Sequence, residues 1–253
     1  MFLITLYLSC PLKEKRADKC SPKPVTLEKT VTGKNRVAFV IDDIGYNLSQ
    51  VRRIIQMNIP VTLSILPHCP YSQEAANEAR HNGLEIILHL PMEPREYPER
   101  NPGKGALITH MSTVEIIDTL RHNIEAVPGI VGVNNHMGSR FMENGEKLTI
   151  VFNELKKRNL FFVDSCTTNK SMARRVAKEI GIAYASRDVF IDNCHLYKDT
   201  RKILERITNS RNRWQTLILI GHPYESTFEA INEMGPIFKS EGIDIVPLSA
   251  LVK

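Results

Sequence analysis

The sequence predicts an α/β fold, an irregular (β/α) barrel with seven or eight mostly parallel strands, and three observations point to it. From Arg36 onward, short apolar runs rich in β-branched residues alternate with segments of helical periodicity. Several of these runs are apolar throughout, as strands covered on both faces are. The strand-helix units number seven or eight, which favours a barrel over an open doubly wound sheet.

Val37–Ile41 (VAFVI) is the first strand, and a helix pattern begins near Asn47. Val61–Leu66 (VTLSIL) follows, then a helix from about Tyr71 that stops at Asn82-Gly83, where glycine suits the left-handed turn after a helix. After the strand Glu85–Leu88 (EIIL) comes the clearest helix, Ser112–Val127. Ser112 and Glu115 form a capping box, Ile117, Leu120, Ile124 and Val127 fall on one face, and Pro128-Gly129 ends it. Strands at Ile130–Val133, Phe161–Val163, Ile182–Ala185, Thr216–Ile220 and Ile243–Val246 are separated by helix patterns beginning near Glu146, Ser171, Lys198 and Glu225. There is no repeat of fixed period, which excludes a solenoid.

The chain has 253 residues, 42% apolar and 24% charged, enough for one large domain with a substantial core. A net charge of +5 spread along the chain, with 7% aromatic residues, does not make a nucleic-acid footprint. Five cysteines (Cys10, Cys20, Cys69, Cys166, Cys194) without a C-x-x-C pair indicate neither a zinc ribbon nor a redox dithiol. No apolar run approaches the roughly 18 residues of a membrane span. Residues 1–9 (MFLITLYLS) followed by Cys10 suggest a short signal segment with lipidation, and residues 11–35 a polar linker. The expectation is therefore a signal or lipoprotein segment and linker over 1–35 and one domain over 36–253. Export to the cell envelope, with membrane attachment only through the N-terminus, follows from that segment; without it the protein is cytoplasmic.

Chemistry in parallel α/β folds collects at the carboxyl ends of strands. The first strand ends in Asp42-Asp43, the third in His89, the fourth is followed by Asn134-Asn135-His136, the fifth by Asp164, and Thr216–Ile220 by Gly221-His222. Adjacent carboxylates are costly to desolvate together unless a cation or donors hold them. Two imidazoles and a carboxylate make the ligand set of an open catalytic zinc site. Because side chains alternate along a strand, Asp42 and Asp43 cannot both aim at one point. The same Asp42-Asp43-Ile44-Gly45 also fits a helix cap and turn, and each histidine alone fits a satisfied core residue. Cys166 reads as a small buried hydrophobe and the glycines of NPGKGAL as an ordinary loop.

The ordered segments FVIDDIG, EIILHLPMEP, VNNHMGSR, FFVDSCT, RDVFIDN and ILIGHP resemble the divergent polysaccharide deacetylase family, relatives of the carbohydrate esterase deacetylases, over about residues 36–253. The resemblance implies an irregular (β/α) barrel, a divalent metal, with zinc the default, and hydrolysis of N-acetyl or related acyl groups on a carbohydrate. It makes Asp42 the catalytic base, Asp43 and His89 metal ligands, and His222 the general acid. Where well-studied deacetylases carry a second histidine four positions after the first, this chain has Glu93, and His136 is the residue expected to complete the metal set. Glu93, Asn135, Asp164, Arg187, Asp188 and Asp192 are expected in supporting or substrate-contacting roles. Two alternatives stay open: a catalytically degenerate glycan- or peptidoglycan-binding envelope protein, and a small-molecule amidohydrolase.

Overall fold

The computed structural model describes residues 34–253. The N-terminal apolar run, Cys10, Cys20 and nearly all of the linker lie outside the described residues. Among the described residues, no helix is long and apolar enough to cross a membrane, and Cys69 and Cys194 are free thiols.

Among the described residues, nine strands form one sheet: β1 (Asn35–Ile44), β2 (Val61–Ile65), β3 (Ile86–Met92), β4 (Gly132–Met137), β5 (Phe161–Asp164), β6 (Tyr184–Ser186), β7 (Val189–Phe190), β8 (Thr216–Gly221) and β9 (Ile243–Ile245). Their order is β6-β5-β4-β3-β2-β1-β8-β7, with β9 also on β1, and every pairing is parallel. The sheet curls so that its two ends, β6 and β7, are joined by only Arg187 and Asp188. Arg187 N–H donates to Asp164 O on β5 and Asp188 N–H to Ile218 O on β8, each at 2.9 Å. This is the irregular parallel barrel the sequence predicts. The additional strand, β7, is two residues long, too short to leave an apolar pattern.

The helices among the described residues, α1 (Leu48–Gln56), α2 (Ser72–His81), α3 (Thr113–Glu125), α4 (Gly145–Lys157), α5 (Ala173–Ile180), α6 (Tyr197–Asn209) and α7 (Glu225–Ser240), follow the expected order. Both hydrogen bonds of the α3 capping box are formed. Its buried stripe, however, is Ile116, Leu120, Asn123 and Val127, rotated from the predicted one. A polar residue on the apolar face hid it from periodicity: buried Asn123 donates to Gly105 O (2.8 Å) and holds His68 Nε2 at 2.8 Å, tying a long loop down.

Two cores result from the two faces of the sheet. Val37, Phe39 and Ile41 of β1 pack toward the helices, in one core with Leu63, Ile65, Leu88, Val133, Phe162 and Leu219. The alternate residues Ala38, Val40, Ile87, Phe161, Val163, Ile218 and Ile220 fill the barrel interior. Counting on by two along each strand carries the interior set to Asp42, His89 and His222, and from the helix-facing Leu63 and Val133 by one to Ser64, Asn134 and then His136. The same count places Asn135 and Asp164 on the other face.

Candidate metal centre and cleft

Asp43 departs from the alternation through local strain. The β1–β2 register slips between Ile41 and Ile44, and Asp43 sits at φ +58°, a left-handed conformation costly for a residue with a Cβ. The bulge lets both carboxylates serve one region, which a regular strand would forbid. Tertiary pairing also extends β4 beyond the predicted end: Pro91 on β3 faces His136, so His136 stands in a strand and not in the loop after it.

Asp43, His89 and His136 come together. Asp43 Oδ1 lies 3.2 Å from His89 Nε2 and 3.1 Å from His136 Nδ1, and those nitrogens are 3.1 Å apart. A tetrahedral centre with ligand bonds of about 2.0 Å has edges of about 3.3 Å, so the three atoms outline one face of such a centre. Asp43 Oδ1 is buried yet accepts no well-directed hydrogen bond, as expected of an oxygen whose partner is a cation. The residues therefore fit a divalent metal. Burial opposes ionisation of Asp43, but the adjoining His136 and His89 outweigh it and hold its carboxyl well below the usual carboxylate range. Burial likewise disfavours the charged His89 ring, and Asp42 and Asp43 override it in the upward direction.

Asp42 lies buried beside this triad, its Oδ1 3.7 Å from His89 Nδ1 and accepting from Asn134 Nδ2 at 2.8 Å. His222 lines the same cleft, about 360 Å3 in volume, with Asp43, His136, Tyr46, Tyr224 and the loop residues Asn101–Gly103. Its Nδ1 is 3.0 Å from Asp192 Oδ1, while Asp192 Oδ2 accepts from Thr227 Oγ1 at 2.9 Å. Burial works against the charged imidazole, but Asp192, with Asp42 and Asp43 adding to it, pushes its pKa up to about 9.

The remaining residues singled out in the sequence lie around this centre. Glu93 is buried away from the triad, its Oε2 accepting from Thr109 N and Oγ1 (2.6 and 2.5 Å) and its Oε1 paired with Arg140 at 3.1 Å. Asn135 faces away from the cleft and joins β4 to the segment after β5, accepting from Ser165 N (2.9 Å) and donating to Met137 O (2.8 Å). Asp164 accepts from Cys166 N and Ser171 Oγ, and burial pushes its pKa up. Arg187 Nε donates to Ser165 O (2.8 Å) with its guanidinium 3.7 Å over the Phe190 ring, and Phe190 in turn stacks on His222. Asp188 accepts from Ile218 N at 2.7 Å. From the sequence, Asn134 is named only as part of the group after the fourth strand, with no role, and Ser64 is not singled out, although the period of two from the apolar core residues points both inward.

A family model for divergent polysaccharide deacetylases matches residues 39–252. The uncharacterized Escherichia coli K12 protein YibQ is 33% identical over 199 residues, covering 79% of this chain and 62% of YibQ, so the chain spans under two thirds of that relative's length. Among solved structures, an uncharacterized protein from Agrobacterium tumefaciens C58 superposes with a TM-score of 0.82 at 27% identity, over 88% of this chain and 92% of that one. At lower identity the fold is shared with a family 4 carbohydrate esterase from Streptomyces lividans (13% identity, TM-score 0.50, 83% and 91% covered). It is shared as well with a pseudoenzyme of that esterase family from Bacillus anthracis (16%, TM-score 0.52, 86% and 65% covered).

Proposed function

The chain belongs to the divergent polysaccharide deacetylase family, and on that premise we propose that it is a metal-dependent hydrolase removing N-acetyl or related acyl groups from a carbohydrate. The observation that carries this reading is the tetrahedral face of Asp43, His89 and His136 at the floor of a cleft that His222 also lines. Zinc is the cation we propose, since two imidazoles and a carboxylate suit it. A bound divalent cation supplies Lewis acidity to water and to the acyl carbonyl.

The chain's own groups supply the proton transfers. Asp42, buried next to the triad and steadied by Asn134, takes the proton from the attacking water. His222 carries a proton at neutral pH, because Asp192 pushes its pKa up to about 9, and delivers it to the departing amine. Asp192 and Thr227 keep the ring aimed by fixing its Nδ1 side. The exposed ring of Tyr46 and the ring of Tyr224 flank the opening, where sugar faces would pack.

The test is release of acetate from N-acetylated sugar oligomers and from acylated small molecules by the zinc-loaded protein and its Asp42→Asn variant. Turnover on oligomers that falls by orders of magnitude in the variant supports the proposal. Turnover on small molecules alone assigns an amidohydrolase, and glycan affinity without turnover under any metal assigns a binding protein.

A further inference from the structure

Resting on the deacetylase reading above, we infer that Asn134 is a positioning residue that fixes, with one amide, both the coordinating nitrogen of His89 and the aim of Asp42. Asn134 is completely buried in the barrel interior. Its Nδ2 donates to Asp42 Oδ1 at 2.8 Å, while its Oδ1 meets Ser64 Oγ at 2.7 Å and His89 Nδ1 at 2.8 Å.

The chemistry of the partners settles the direction of each bond. An ionised carboxylate only accepts, so the amide must turn its NH2 group to Asp42. That leaves the amide oxygen facing Ser64 and His89, and an oxygen only accepts, so both neighbours donate. His89 therefore carries its proton on Nδ1 and presents the Nε2 lone pair toward Asp43 Oδ1 and His136 Nδ1, where a metal ligand needs one. The second consequence concerns Asp42. With His89 Nδ1 engaged by Asn134, the 3.7 Å separation between that nitrogen and Asp42 Oδ1 stays too long for a hydrogen bond, and Asp42 is kept for water. Without the amide, the ring and the carboxylate are free to close on each other, rotating the ligand and occupying the base together. Ser64, on β2 beyond the His89 strand β3, holds the amide from a third direction.

The experiment is Zn2+ affinity by competition with a chromophoric chelator, measured on the full chain for wild type, Asn134→Leu and Asn134→Asp, with the metal-free Tm of each as a folding check. Leucine fills the same space but accepts nothing, so affinity should fall about 10- to 100-fold, the usual consequence of losing the group that orients a metal-bound histidine. Aspartate still accepts from His89 and Ser64 and, by sharing one proton with Asp42 where the amide donated, keeps the third contact, so affinity should stay within a few-fold of wild type. A packing role would not separate the two. Equal losses in both variants, or no loss in the leucine variant, would overturn the inference. If the leucine variant does not fold, Asn134→Ser, too short to reach His89, takes its place with the same expected loss. Affinity is read without turnover, so a wild-type protein that binds zinc but releases no acetate would sink the deacetylase reading while leaving this test intact.

Discussion

Asp192 holds His222 through its ring: Asp192 Oδ1 stands 3.0 Å from His222 Nδ1, and the same carboxylate accepts the His222 backbone N–H and the Thr227 hydroxyl through Oδ2. The pair explains how an imidazole at a cleft wall stays protonated at neutral pH. In Asp192→Asn the pKa of His222 falls, because the charge that favours its protonated form is gone, so the alkaline limb of the kcat/KM profile moves to lower pH by roughly 1–2 units. An alkaline limb that does not move would remove His222 from the role of acid.

The same linkage affects stability. The folded-state pKa of about 9 lies above the ordinary histidine value of 6.5, so this group's contribution is complete below pH 6.5 and is lost as pH rises through 9. The metal-free wild type should lose Tm across that window and Asp192→Asn should lose less of it, as a pH series of thermal melts would record.

Glu93 occupies the position where a second histidine would stand in well-studied deacetylases, yet its oxygens are taken by Thr109 and Arg140. Glu93→Gln should leave zinc stoichiometry unchanged while weakening the fold by on the order of 2 kcal/mol through lost charge-assisted hydrogen bonds. Elemental analysis beside a denaturant melt checks both, and loss of metal in this variant would make Glu93 a ligand.

The loop over the cleft is pinned at Gly105, where φ is +79° and an added Cβ would lie 2.1 Å from Asn123 Oδ1. Gly105→Ala must therefore push Asn123 off its bond to the Gly105 carbonyl and release the segment that brings Asn101–Gly103 to the cleft. The expected result is a destabilisation of about 1–3 kcal/mol with KM raised more than kcat is lowered. A KM equal to that of wild type would separate this loop from substrate binding.

The strands and helices were legible because apolar runs and caps are local signals: the Ser112–Glu115 capping box and the VAFVI and TLILI strands need no tertiary information. Asp42, Asp43, His89, His136 and His222 were legible because each follows an apolar run. What escaped depends on distant partners. The bulge that swings Asp43 inward shows only when β1 and β2 are aligned, and β4 runs through His136 because β3 pairs with it, against a polar local sequence. Asn123 was not legible as a buried residue because its partners, Gly105 and His68, lie 18 and 55 positions away. Asn134 was hidden beside Asn135, and only the inward parity of the barrel distinguishes the two.

Whether Asp43, His89 and His136 form one metal site is decided by elemental analysis of the metal content of the purified protein and of Asp43→Ala, His89→Ala and His136→Ala. Close to one equivalent of divalent metal is expected in the wild type, and its loss in all three variants. No metal in the wild type after reconstitution with zinc, or undiminished metal in the His136→Ala protein, would contradict a shared site.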